Sequence, residues 1–283
     1  MERDQKIVVG HLPKTPVDLS ATRQTYDAFL VLDVEATCQL GTDFNYANEI
    51  IASHLITILS SSLSDSCTLS FRNGLLEKVD EFRSFVKPVW RPQLSSFCTK
   101  LTGITQDNVN QAPTFATLVH TTFREFLVRN GLIDPITNEP LVRFCWCSDG
   151  PWDIRDFVVK QCFISKIALP RWISGDVMDV RRVVARWQEK RDARSRSNGS
   201  AQASGTFLPL TRQLHVLGLG LFEGRQHCGM DDTRNVARIV VELARRGMPL
   251  RPNTSINPNR RWPWMGRNGK ILEELVAPAS ASL

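Results

Sequence analysis

The stretch FLVLDVEATC, residues 29–38, limits what this chain can be more than any other. Its apolar run predicts a buried first β-strand over 29–36, yet the strand carries Asp33 and Glu35. Side chains two apart in a strand point to the same face. Two carboxylates side by side in apolar surroundings repel each other and lose their water. A fold that keeps this strand must bring positive charge to it.

The pattern around it predicts an α/β fold. EIIASHLITIL (49–59) and KVDEFRSFVKP (78–88) are further strands, rich in β-branched residues or stopped by Pro88. Three strands before any helix suggest an antiparallel meander. SSFCTKLTGI predicts a short helix ending at Gly103. TFATLVHTTFREFLVRNG places Phe115, Leu118, Val119, Phe123, Phe126 and Leu127 on one helical face. LVRFCWCS (141–148) is a buried strand, and WDIRDFVVKQCFI a helix after the tight turn SDGP. A strand near 172–177 and the basic helix DVRRVVARWQEK follow. PLTRQLHVLG is a short helix. DDTRNVARIVVELARRG is a long periodic helix, acidic at its start and basic at its end, with Gly247 as its cap. The order predicts a mixed sheet of about five strands with helices on its faces. Residues 1–28 form an N-terminal arm, 29–250 the domain and 251–283 a C-terminal tail. RDARSRSNGSAQASG marks a flexible basic insertion at about 190–206.

Charge is unevenly spread. Residues 1–150 carry 17 acidic and 13 basic side chains, and residues 151–283 carry 12 and 22. A basic second half suits a polyanionic partner or a solvated surface equally. No apolar run is long enough to span a bilayer, which predicts no membrane partner. The seven scattered cysteines, with no zinc-finger spacing, and the absence of a signal-like N-terminus predict a reduced intracellular protein, cytoplasmic or nuclear.

Other acids stand at element ends. Asp153 follows SDGPW, and Asp231 and Asp232 open the long helix, with His227 just before. Hard divalent ions take oxygen ligands, and two such ions make clustered carboxylates tolerable. They also serve phosphoryl transfer, for which a histidine can take a proton near neutral pH. Each element alone has an ordinary reading. Asp153 could cap a helix, Asp231 and Asp232 could complement its dipole, and His227 could be structural. The ordered set carries more weight than its parts.

That set resembles the DEDD superfamily of 3′→5′ exonucleases. Asp33 and Glu35 match its first motif, Asp153 in SDGPWD its second, and HCGMDD its third, with His227 and Asp232 spaced as in the histidine subclass. VLDVEATC, NEII, FCTKLTGITQDNV, SDGPWD, LGL, HCGMDDTRNVARI and PLR together resemble the histone-mRNA 3′-end exonuclease family, which includes the enhancer-of-RNA-interference exonucleases. The resemblance covers about residues 28–252. It implies an RNase H-like fold, two divalent cations (Mg²⁺ or Mn²⁺) on Asp33, Glu35, Asp153 and Asp232, and His227 as general base. It implies a clamp for the 3′-terminal nucleotide from Phe97, Leu101 and Trp152, with the backbone at Ala36 and Thr37 facing the sugar. Plain core packing of Phe97 and Leu101 is the even alternative. Asp231 is expected to cap its helix instead of joining the site.

The implied activity is 3′–5′ exonucleolysis of single-stranded or overhanging RNA, releasing nucleoside 5′-monophosphates, in small-RNA or RNA 3′-end processing. A DNA exonuclease, or an RNA-binding adaptor on a nuclease fold, are the alternatives left open. An Argonaute-type protein is a partner the resemblance allows. NEIIASH lacks the Glu-Phe-Pro that usually follows EII in the family, so packing at the second strand is expected to differ. A separate N-terminal nucleic-acid-binding domain, and the stem-loop recognition it brings, is not expected. The arginines and tryptophans of NRRWPW suit either single-strand binding or docking on the domain.

Overall fold

The computed structural model describes residues 24–42, 45–60, 76–173, 176–195 and 207–275. The expected leader up to residue 23, the serine-rich link after residue 60 and the polar segment 196–206 lie outside them. Three strands, β1 (Ala28–Ala36), β2 (Ile50–Ser60) and β3 (Leu76–Phe85), form the expected antiparallel meander. Then β4 (Phe144–Ser148) pairs parallel to β1, and β5 (Asp176–Asp179) parallel to β4. A two-residue strand, β6 (Thr254–Ser255), pairs antiparallel at the far edge. The sheet order is β3-β2-β1-β4-β5-β6, with β1 inside it. The sixth strand is too short for a periodic signal and sits in a proline- and asparagine-rich segment.

The helices among the described residues are α1 (Ser96–Thr102), α2 (Gln106–Asn110), α3 (Phe115–His120), α4 (Thr122–Arg129), α5 (Val159–Ile164), α6 (Val180–Ser195), α7 (Leu210–Val216) and α8 (Gly229–Arg245). They cover both faces. Ala28, Leu30, Leu32 and Val34 of β1 pack with α3, α4 and α5, where Phe82, Phe123, Trp146 and Trp172 form a buried aromatic group. Phe29 and Val31 pack on the opposite side with α6, α7 and α8. Alternation therefore puts Asp33 and Glu35, next in phase after Val31, on the α8 side.

Two expected helices depart from a regular course. The run from Phe115 breaks at Thr121, where φ is −119° and ψ is −103°. Its hydroxyl donates to the Thr117 carbonyl at 2.8 Å, a side-chain bond that competes with the helical ladder. The helix after SDGPW opens as a π-helical turn, Asp153–Val158, before α5 begins. Such turns recur at functional sites because they re-aim side chains. The expected insertion starts later than residue 190, since α6 runs to Ser195.

Among the two readings of NRRWPW, docking describes its tryptophans. Trp262 and Trp264 are buried with Tyr46, Val159 and Ile164. The Trp264 indole N–H donates to the Asn45 carbonyl at 2.7 Å. Lys160 is fully buried, which needs full hydrogen bonding. Its ammonium donates to the Tyr46 carbonyl at 2.9 Å and Asn48 Oδ1 at 3.2 Å, and lies 5.2 Å from the Trp262 ring. The tail and α5 thus brace the link between β1 and β2, immediately beyond Glu35.

Candidate active site

The C-terminal end of β1 meets the turn after β4 and the start of α8. Asp33 and Glu35 come from β1, which bulges between Glu35 and Ala36. Asp153 begins the π-helical turn, and its Oδ1 accepts the Val34 N–H at 3.2 Å. That bond reaches across the sheet to the residue between the two strand acids. Asp232 lies in the first turn of α8. The helix approaches β1 this closely because it starts with Gly229. A Cβ there would lie 2.2 Å from His54 Nδ1 and 2.8 Å from Asp33 Oδ2. Real side chains do not tolerate such contacts, so glycine sets the spacing of helix and strand.

The four acids lie close enough to raise one another's carboxyls. Burial raises the Asp33 carboxyl well above its ordinary value, and the charges of Asp153, Glu35 and Asp232 raise it further. Burial, then Asp232 and Asp153, push Glu35 up to about 8. Burial pushes Asp153 up to about 7 against the stabilising Val34 N–H. Asp232 also rises to about 7, chiefly through burial, although the nearby backbone N–H of His227 lowers it. Four acids that resist ionisation together suit a strongly positive ligand. The donor set is all hard oxygen, which fits Mg²⁺ or Mn²⁺ better than softer metals. Among the described residues no three of the side chains are drawn into finished cation-ligand geometry.

His227 is exposed and takes a left-handed backbone with φ of +62°. That conformation is uncommon for a non-glycine residue and fixes the loop sharply before α8. The loop is held twice. Asp231 Oδ2 accepts the Arg225 N–H at 3.0 Å, and the Arg225 carbonyl accepts the Cys228 N–H at 3.2 Å. Asp231 therefore does not cap α8, whose N-cap is Cys228 with no side-chain cap bond. It sits too far inside the helix, so its carboxylate reaches back to the preceding turn and to Arg234 at 3.6 Å.

The other expected residues stand nearby. Phe97 is 36% exposed, which removes plain core packing as its role. Leu101 follows one turn later on α1 and is half-buried. Trp152 is half-buried beside Asp153, with the Arg181 guanidinium 4.5 Å from its ring centre. Ala36 accepts the Cys98 thiol at 3.7 Å. Thr37 is tied to the next strand: its hydroxyl accepts the Glu49 N–H at 2.9 Å, and its carbonyl accepts from Asn48 at 2.6 Å.

Three participants were not singled out from the sequence. Asp149 raises the carboxyls of Asp33, Asp153 and Asp232, and is itself held by Gln213 at 2.7 Å and Arg181 at 3.2 Å. Its place in SDGPWD, four residues before Asp153, was the available signal. His54 pairs with Asp33 across β1 and β2, and its buried Nδ1 has no hydrogen-bond partner. Burial and then the Arg83 charge lower it to about 4. Arg225 lowers the Glu35 and Asp232 carboxyls and had no signal beyond its closeness to HCGMDD.

The comparisons agree with this geometry. A family profile described as exonuclease, of the RNase T type, matches residues 30–162. The 3'-5' exonuclease eri1 of Schizosaccharomyces pombe is 32% identical over 269 residues, covering 89% of this chain and 78% of its own length. Human 3'-5' exoribonuclease 1 is 29% identical over 239 residues, 82% of this chain. The chain spans only 56% of that human relative. Among solved structures, the nuclease domain of 3'hExo, a DEDDh family member bound to rAMP, matches with a TM-score of 0.65 at 28% identity. The match covers 83% of this chain and 100% of that one. A structure of histone mRNA stem-loop recognition by a 3'-exonuclease gives a TM-score of 0.66 at 28% identity, over 83% of this chain and 89% of that one. Sequence shared over most of the chain and a shared fold lead to one conclusion: the chain belongs to the DEDDh 3′–5′ exonuclease family.

Proposed function

We propose that Asp33, Glu35, Asp153 and Asp232 hold two divalent cations, Mg²⁺ or Mn²⁺, and that the site removes nucleotides one at a time from RNA 3′ ends. The meeting of four carboxylates from β1, the π-helical turn and α8 carries this reading. When bound, the cations supply the positive charge that makes water nucleophilic and stabilises the leaving oxygen. The protein's own parts do the rest. Phe97, Leu101 and Trp152 grip the terminal nucleotide, with the backbone at Ala36 and Thr37 beside its sugar. An imidazole nitrogen of His227 takes the proton from the attacking water. Cleavage leaves a nucleoside 5′-monophosphate and a chain one nucleotide shorter.

RNA is favoured over DNA because relatives are exoribonucleases and the solved neighbours hold rAMP or an mRNA stem-loop. A 2′-hydroxyl beside Ala36 and Thr37 is the feature such a site would read. The proposed setting is intracellular, in small-RNA or RNA 3′-end processing. An Argonaute-type partner is tested by co-purification. Among the described residues no helix is long and apolar enough to cross a membrane.

Matched RNA and DNA strands, labelled at either end and incubated with Mg²⁺ or Mn²⁺, test the reading. Loss of single nucleotides from the RNA 3′ end, slower on DNA, is expected. Cleavage from the 5′ end, or equal cleavage of both polymers, would contradict it.

A further inference from the structure

Helix α1 carries Phe97 and Leu101, and its C-terminus is open to an outside donor. Gly103 ends it with φ of +77°, and its own N–H bonds the Thr99 carbonyl. The carbonyls of Lys100, Leu101 and Thr102 follow, at a helix end where carbonyls lack intrahelical partners. Arg225 reaches all three from the other side of the site, more than 120 positions along the chain. Its Nη1 donates to Thr102 O at 3.0 Å, and its Nη2 to Leu101 O at 2.5 Å and Lys100 O at 3.4 Å. A cation at a helix C-terminus is also favoured by the helix dipole. The fit is close: a Cβ on Gly103 would lie 2.6 Å from Arg225 Nη1.

The backbone of Arg225 is fixed independently. Its N–H is bonded to Asp231, and its carbonyl accepts the N–H of Cys228, one residue past His227, at 3.2 Å. The loop that carries His227 therefore keeps its place on α8 without the Arg225 side chain. Helix α1 does not have an equivalent second hold on that loop among the described hydrogen bonds. The guanidinium is thus the link that registers the helix bearing Phe97 and Leu101 against the loop bearing His227.

We propose that Arg225 is a positioning residue that sets the nucleotide clamp on α1 relative to the carboxylate site, so that its side chain governs 3′-end affinity and not the chemical step. The assignment rests on the clamp reading given above. A glutamine keeps two donors but loses the charge and the span across three carbonyls. Lysine keeps the charge and reaches fewer acceptors.

The test uses the whole chain, a short single-stranded RNA, 5′-AMP and Mn²⁺. Arg225→Gln should raise KM for the RNA and weaken 5′-AMP binding by about tenfold each, the scale of losing charge-assisted hydrogen bonds. Its kcat should fall far less than its KM rises, while any change in Mn²⁺ affinity reports the lost charge beside Glu35 and Asp232 and should be absent in Arg225→Lys, which keeps that charge. Arg225→Lys should recover part of the affinity. Gly103→Ala, whose Cβ would collide with the guanidinium while Arg225 itself stays in the sequence, should move KM in the same direction. A fall in kcat at unchanged KM, or no change in KM and 5′-AMP binding, would overturn the assignment. Phe97→Ala separates the two readings. If it raises KM and Arg225→Gln does not, only the role of Arg225 fails. If Phe97→Ala leaves KM and 5′-AMP binding unchanged, the clamp reading fails.

Discussion

Asp33→Asn should make the metal-free protein more stable while slowing catalysis by about 10³-fold or more. The two effects have one cause. Asp33 is half-buried and lies near Asp153, Glu35 and Asp232, whose charges all raise its carboxyl. Removing its charge relieves repulsion in the folded state and removes a cation ligand. The pH dependence follows from linkage. Glu35 rises from 4.5 to about 8, and Asp153 and Asp232 from 3.8 to about 7. Between those limits the native state holds protons that the unfolded chain has released. Unfolding free energy therefore falls as pH rises across that window. Without divalent ions, the melting temperature should drop by about 5 °C or more from pH 5 to pH 8. The drop should be smaller in Asp33→Asn. Scanning fluorimetry in chelated buffer checks both. A flat profile in the wild-type protein would mean that the carboxylates are not crowded in solution.

His227→Asn should lower kcat by about 10²–10⁴-fold, the usual contribution of a general base, with Mn²⁺ affinity nearly unchanged. Asparagine is the informative replacement. It tolerates the left-handed backbone that His227 adopts, φ of +62°, and keeps the backbone N–H that lies near Asp232. The loop and the carboxylates should stay in place, and only the ring is lost. Single-turnover rates together with Mn²⁺ titration separate chemistry from binding. A variant that loses Mn²⁺ affinity would show that His227 belongs to the cation site and not to the proton step.

Much of this was legible in the sequence because it is local. The apolar alternation around Asp33 and Glu35 both announces β1 and makes two acids on it costly. HCGMDD places a histidine and an aspartate five positions apart, which a loop leading into a helix can bring together. The unread parts depend on long reach. The Arg225 link to α1, the pairing of His54 with Asp33 and the choice of the Asn45 carbonyl as the partner of Trp264 each join segments whose separation hides them from any local pattern. The break at Thr121 was hidden differently. The apolar period continues through it, and only the backbone angles at Thr121 depart from the helix. Asp231 shows the same limit. Adjacent to Asp232 in sequence, it points to the Arg225 turn and takes a different task.

The central claim is that the acids of FLVLDVEATC, SDGPWD and HCGMDD form one divalent-cation site. Titrating Mn²⁺ into chelator-treated protein at pH 7.5, with the melting temperature as the readout, addresses it directly. Binding to the native state alone must raise stability in proportion to saturation. A saturable rise is expected in the wild-type protein, lost in both Asp33→Asn and Asp153→Asn. An equal rise in the two variants, or no rise in the wild-type protein, would contradict it.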